Sequence, residues 1–330
     1  MSQPATKPGA VRIVEVASED ADQRIDNFLM RHLKGVPRSR IYRILRRGEV
    51  RVNGRRAGPD YRICAGDKVR IPPVRTAASG AGGPAPVRPG LEAAILYEDH
   101  RYLVLNKPSG LAVHGGSGVS HGAIEALRAL RPQARFLELA HRLDRETSGC
   151  LLVAKRRSAL RAVHELLRSG GVEKRYLALV MGDWQGGPRR VDAPLRKNQL
   201  RGGERMVRVD PTGKTAQTRF RPLTAYGQAT LMEADLGTGR THQIRVHGAH
   251  CGHPIAGDDK YGDEAFNRTM RSLGLRRLFL HAHSLAFTEP DTGREIHVSA
   301  PLAPDLRAVL DTLEKARRPA PRPIEARGGS

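Results

Sequence analysis

Cysteine is scarce in this 330-residue chain: Cys64, Cys150 and Cys251 are too few and too scattered for a disulfide framework, and no two form a Cys-x-x-Cys pair. All three are expected to be reduced and buried. Aromatic residues make up only 4%, with a single Trp, which argues against a surface built mainly from base-stacking platforms. No apolar run approaches the roughly 20 residues that span a bilayer. The first ten residues are polar and lack the apolar core of a secretory signal. The expectation is a cytoplasmic protein with no membrane partner. Acidic residues are also in short supply. Lys and Arg number 56 against 34 Asp and Glu, a net charge of +22, and that imbalance implies a polyanionic partner. With so few aromatics, such a partner should be gripped through its phosphates and its shape.

The positive charge is concentrated. Residues 24–75 carry 15 Lys or Arg against 4 acids. Within them Ile41, Ile44 and Leu45 keep the i, i+3, i+4 spacing of one helical face, Arg40, Arg43 and Arg47 take another, and Gly48 supplies a stop. Asn53-Gly54 is a strong hairpin-turn signal, and residues 66–71 read as a turn and a strand. Residues 21–75 therefore form a small basic helix-and-strand module. Residues 1–20 read as a flexible N-terminus, 76–90 as an Ala/Gly/Pro-rich flexible linker, and 314–330 as a disordered basic tail. From 91 to 313 short β-rich runs (94–97, 102–105, 230–232) mix with helical stretches such as 158–168. They show no regular βαβ rhythm, which indicates a second, larger domain of the α+β class. No internal repeat is present.

The most informative stretch is His141-Arg142-Leu143-Asp144-Arg145-Glu146-Thr147-Ser148-Gly149, followed by the apolar run 150–154. It places a carboxylate between two guanidiniums on a loop entering a buried strand. Flanking arginines favour the charged form of such an acid, which makes Asp144 a candidate nucleophile or base. A structural ion pair is the competing explanation, and this run alone does not decide between them.

The run resembles the active-site motif of the pseudouridine synthases, and its leading His and trailing Val-Ala-Lys resemble the RluA-type branch that acts on ribosomal RNA. Three further stretches follow in the family's order: 105–114 around Asn106-Lys107-Pro108, Lys174-Arg175-Tyr176-Leu177, and 237–247 around Gly239-Arg240-Thr241-His242-Gln243-Ile244-Arg245, extended by 252–258. The basic module resembles an S4 (αL-type) RNA-binding domain through residues 37–43 and 48–54. The resemblance implies a catalytic domain built on a mixed, mainly antiparallel sheet with flanking helices. It also implies a reaction in which uridine's glycosidic bond is cleaved, the base rotates and the bond re-forms at C5, with neither metal nor cofactor. By the same resemblance Asp144 is the catalytic aspartate, Tyr176 lies against the uracil, and Arg245 pairs with Asp144. Arg142 enters the space left by the flipped base. Lys107, Arg145, Arg240 and Ile244 are expected to contact substrate, as are Arg38, Arg40, Arg43 and Arg47 on the S4 helix. The partner implied is large-subunit ribosomal RNA or a ribosome assembly intermediate, approached by a monomer.

Other motifs compete poorly. Gly213-Lys214-Thr215 lacks the first glycine of a P-loop, which would fall on Arg208. Gly237-Thr238-Gly239 lacks the third glycine of a dinucleotide fingerprint, which would fall on His242. His242, His247, His250, Cys251 and His253 are close in sequence but match no zinc pattern, so no metal is expected; the resemblance makes this stretch a strand and turn beside the active site. Three alternatives stay open: another S4-bearing ribosomal RNA synthase of the same family, a non-catalytic assembly factor on this scaffold, and an S4-fused methyltransferase, which is weakened by the missing glycine-rich turn.

Overall fold

Hydrophobic patterning accounts for the two larger sheets seen in a computed structural model of the chain, which describes residues 10–33, 36–74, 88, 90–115, 121–199 and 205–317. Most of the expected linker, the first nine residues and those past 317 lie outside the described residues. The chain divides into two units, 1–85 and 86–330.

In the first unit α1 (Ile25–His32) and α2 (Arg38–Arg46) pack on a four-stranded sheet. Its strands are β1 (Arg12–Glu15), β2 (Arg51–Val52), β3 (Arg55–Arg56) and β4 (Lys68–Ile71), in the order β1-β4-β2-β3. Phe28, Leu29, Ile41, Ile44 and Leu45 from the helices meet Val52, Val69 and Ile71 from the sheet. The β2–β3 turn has Asn53 and Gly54 at φ 49° and 80°, the paired left-handed geometry that an Asn-Gly hairpin supplies. One expectation fails here. Residues 12–20 are not a loose extension: β1 pairs antiparallel with β4, and Val16 is buried in the same core. Glu15 between Val14 and Val16 is the one trace of strand alternation there, because Ile13 and Ala17 flank the pair. Cys64 is exposed, against expectation, whereas Cys150 is buried and Cys251 half-buried.

The second unit is α+β. It begins with the short helix α3 (Gly90–Ala93), the strands β5 (Ile95–Glu98) and β6 (Tyr102–Lys107), helix α4 (Ala123–Leu130) and the short strand β7 (Glu138–Leu139). Next come β8 (Ser148–Ala154), α5 (Arg157–Ser169), β9 (Val172–Met181) and β10 (Arg189–Asp192). A separate hairpin of β11 (Leu195–Gln199) and β12 (Arg205–Val209) precedes β13 (Gln217–Ala225) and β14 (Ala229–Leu236). Helices α6 (Gln243–His250) and α7 (Glu264–Ser272), strands β15 (Leu280–Thr288) and β16 (Glu295–Ser299), and helix α8 (Pro304–Arg317) complete it. The sheet runs β10-β13-β14-β9-β15-β8-β6-β5, with β16 beside β15 and β7 beside β8. Among these pairings only β15–β8 is parallel.

Both faces of the central strands are covered, so β8 reads as a continuous apolar run rather than an alternation. Leu151 and Val153 join one core, which α4, α7 and α8 help to form; Cys150, Leu152 and Ala154 join another, on the side of α5 and β16. At the start of β8, Gly149 (φ 106°) lies so close to β15 that an added Cβ would meet the Ala282 carbonyl oxygen at 2.2 Å. No other residue type fits there, and this close approach fixes where the loop carrying Asp144 enters the sheet. The C-terminus departs from expectation as well. Residues 314–317 continue α8 beyond its last buried residue, Leu313, instead of beginning a disordered tail.

Candidate active site

Residues 237–250 differ most from the sequence reading. The expected strand is the helix α6, and residues Gln243 to Gly248 are all buried, so no amphipathic period marks it. The amide of Gln243 fixes its start: the side-chain oxygen accepts from the Arg240 amide (3.0 Å) and the Thr238 hydroxyl (2.7 Å), while the nitrogen donates to the Gln217 carbonyl (2.8 Å) and Thr218 Oγ1 (2.9 Å) on β13. The consequence for the site is direct. In a strand, positions 242 and 245 would point to opposite faces, whereas one helical turn places them on the same face.

That face meets Asp144. The aspartate sits on the loop before β8 with its side chain 18% exposed. Arg245 Nη1 lies 3.8 Å from Oδ2, and His242 Nε2 lies 3.9 Å from Oδ1. Both distances lie beyond hydrogen-bond length. The carboxylate is thus attracted by its neighbours without being locked to either.

Arg245 is held by a different acid from the one expected. Its Nε and Nη2 donate to the two oxygens of Asp258, each at 2.7 Å, a bidentate fork buried in the protein. Asp258 also accepts from the amides of Lys260 (2.9 Å) and Tyr261 (3.0 Å). Burial works against its charge, but the Arg245 fork and these amides together hold its carboxyl below the usual range. The Asp144 interaction of Arg245 is therefore the looser one, made with the nitrogen that remains.

Tyr176 lies on β9 between Ala234 of β14 and Ala282 of β15, 6% exposed. Burial, reinforced by the negative charge of Asp144, pushes its hydroxyl well above the ordinary tyrosine range. It stays protonated at neutral pH and can present a ring face and a donor rather than a base.

A 360 Å³ cavity collects these groups: Arg142, Asp144, Tyr176, Arg240, Ile244 and Arg245 all line it. Its size suits a small planar ligand. Arg142 is exposed at this cavity, and Arg240 Nε donates to the Thr215 carbonyl at 3.0 Å. A second hollow of 580 Å³ adjoins it, sharing Arg142, Asp144, His242 and Arg245 and also lined by Arg145, Lys260, Arg271, Arg276 and Arg277. Arg145 belongs to this second space and donates to the Gly110 carbonyl at 3.0 Å.

Lys107 does not face either cavity, contrary to expectation. It is fully buried, and its ammonium donates to the carbonyls of Leu111 (2.8 Å), Pro108 (2.9 Å) and Arg145 (3.0 Å). Burial lowers its pKa to about 7, yet three carbonyl acceptors match the three donors of the charged form. Its task is to tie the Asp144 loop to the end of β6. In the first unit, Arg38 and Arg43 on α2 and Arg47 at its C-cap are exposed, and Arg40 is half-buried. Two of the clustered histidines are engaged elsewhere, His247 with Thr218 and Ala193, His253 with the Met181 carbonyl. Sequence reasoning passed over His242 and Tyr261 as site residues and quoted Asp258 only as the end of a motif. The i, i+3 spacing of His242 and Arg245 was the signal, hidden by the strand reading.

The RNA pseudouridylate synthase family model matches residues 101–250, and the S4 domain model matches residues 23–69. The chain is 57% identical over 317 residues to ribosomal large subunit pseudouridine synthase C of Escherichia coli (strain K12), covering 94% of this chain and 99% of that protein. It is 56% identical to the protein of the same name from Pasteurella multocida (strain Pm70), covering 93% and 95%. Among solved structures, human RNA pseudouridylate synthase domain containing 4 superposes with a TM-score of 0.57 at 28% identity, over 68% of this chain and 95% of that one.

Proposed function

This chain belongs to the RNA pseudouridylate synthase family, and from that premise we propose that it isomerises specific uridines to pseudouridine in large-subunit ribosomal RNA or in assembly intermediates that contain it. The observation that carries this reading is the convergence of Asp144, Tyr176 and Arg245 on one cavity of small-molecule size. A uridine in a helix hides its C1′ and C5, so the base must be flipped out at a cost of a few kcal/mol. Arg142, exposed at the cavity, fills the vacated stack. Asp144 acts as nucleophile or charge stabiliser once the base is seated against Tyr176. Arg245 faces the carboxylate at 3.8 Å and sets a positive charge beside it in a site that an apolar base would dry.

The basic hollow beside the cavity supports a path for the flanking phosphates over Arg145, Arg271 and Arg276, and Arg38, Arg43 and Arg47 of the S4 domain supply further contacts. We read it as a monomer that works in the cytoplasm. Unmodified large- and small-subunit ribosomal RNA, incubated separately with the protein and mapped by carbodiimide adducts and reverse transcription, test the substrate assignment. Discrete stops confined to the large-subunit RNA are expected; stops confined to the small-subunit RNA would overturn it.

A further inference from the structure

One side chain contacts both groups that face Asp144. We infer that Tyr261 is a positioning residue for the uridine-isomerisation site: its hydroxyl orients the His242 imidazole with Nε2–H toward Asp144, and its ring supports the Arg245 guanidinium. The inference rests on the reading of Asp144 as the reacting carboxylate.

The hydrogen bonds around the hydroxyl assign its proton. The Val207 amide on β12 donates to Tyr261 Oη at 2.9 Å, and His242 Nδ1 lies 2.8 Å from the same oxygen. An oxygen that accepts from the amide still has one proton to give, and the lone pair of Nδ1 is the acceptor at hand. The imidazole proton then sits on Nε2, the nitrogen 3.9 Å from Asp144 Oδ1. The reverse arrangement would leave the hydroxyl proton without this acceptor and aim a nitrogen lone pair at a carboxylate.

The surroundings agree. Burial pushes the Tyr261 hydroxyl above its ordinary range, so it keeps the proton it donates. His242 is held below the usual imidazole range, chiefly by burial; Arg245 and Lys260 add to the depression, while Asp144 and Asp258 oppose it. Its ring is therefore neutral at pH 7, as the tautomer requires. His242 also occupies the left-handed region (φ 54°, ψ 22°) at the N-cap of α6, a conformation that costs a non-glycine residue free energy and here swings the ring toward the loop before β8. The Tyr261 ring lies 5.1 Å from the guanidinium carbon of Arg245, within cation–π range. Asp258, the carboxylate that grips Arg245, takes the Tyr261 amide as well. A single residue thus fixes both neighbours of the reacting carboxylate and ties them to the β11–β12 hairpin.

Tyr261→Phe removes both hydroxyl bonds and leaves the ring over Arg245. With the full-length protein and unmodified large-subunit ribosomal RNA, kcat should fall on the order of 10- to 100-fold, as small misplacements of reacting groups do, with KM within about threefold of wild type. The acid limb of the kcat profile should move to higher pH. The lost donor favoured the neutral imidazole, so His242 would protonate more readily. A purely structural role would lower the folded fraction and leave that limb in place, and this result, or an unchanged kcat, would overturn the inference. A second measurement is independent of turnover: ¹⁵N-histidine spectra, with His242 assigned by comparison with His242→Asn, should show an unprotonated Nδ1 and a protonated Nε2 at pH 7.5. A protonated Nδ1 would overturn the assignment even in an active enzyme. Failure of the wild type to modify RNA would instead count against the proposed function, and the spectra would still decide the tautomer.

Discussion

Asp258→Asn isolates what holds Arg245 in place. The substitution keeps the shape and one acceptor oxygen but removes the charge facing two buried 2.7 Å bonds from the guanidinium. Removing one partner of a buried pair costs about 3–5 kcal/mol, because the other charge is left buried and uncompensated. Since asparagine retains part of the hydrogen bonding, the low end applies, about 3 kcal/mol. For a unit of this size that lowers the melting temperature by roughly 6–12 °C. Trp184, the one tryptophan, is buried in the second unit's core, so its fluorescence follows that unit alone. The pH dependence has a definite sign. The Asp258 carboxyl is held below its unfolded value, so its contribution is present above about pH 4 and is lost as pH falls through the folded pKa. Wild type and variant should therefore differ most near neutrality and converge in acid. Activity should fall as well, because a guanidinium released from Asp258 can close the 3.8 Å gap to Asp144 and occupy the carboxylate. A variant within 1 kcal/mol of wild type, with its activity intact, would refute the claim that this ion pair positions Arg245.

Other outcomes follow from the same geometry. Lys107→Met leaves three carbonyls without their donor and should cost about 3 kcal/mol in the same fluorescence assay, at about 1 kcal/mol or more for each unsatisfied group; a neutral result would mean that the buried ammonium is not what ties down the Asp144 loop. Replacing Arg38, Arg43 and Arg47 together by Ala should weaken RNA binding and reduce the slope of log K against log salt by up to about 2–3, close to one for each phosphate that is no longer neutralised. An unchanged slope would show that the exposed face of α2 does not meet the RNA.

Much of the fold could be read from the chain because its local signals agree with its packing. The apolar face of α2, the Asn53-Gly54 turn and the apolar run 150–154 of β8 each specify an element whose neighbours demand the same arrangement. The readings that failed lacked such agreement. Helix α6 is buried all round and stabilised by the Gln243 side chain, so it offers neither an amphipathic stripe nor a cap residue to read. Strand β1 is four residues long and depends on pairing with β4, more than 50 residues away in sequence. At the site, Asp144, Tyr176 and Arg245 were found through motif register, and they line one cavity. Their supports were less legible, because a pairing such as Arg245 with Asp258 is set by a turn joining α6 to α7 and leaves no periodic trace. Lys107 shows the converse: a lysine beside a motif suggests a phosphate contact, and only its full burial against three carbonyls reveals a structural task.

The central claim is that Asp144 carries out uridine isomerisation in this cavity. Tritium release from unmodified large-subunit ribosomal RNA labelled at uridine C5 tests it most directly, comparing wild type with Asp144→Ala and Asp144→Asn without added metal or cofactor. The account predicts stoichiometric release by wild type, none by either variant, and RNA affinity within a few-fold for all three. Release by either variant at the wild-type rate would remove Asp144 from the chemistry. No release by wild type, despite tight binding to both free RNA and assembly intermediates, would contradict the enzymatic reading and leave an RNA-binding assembly factor in its place.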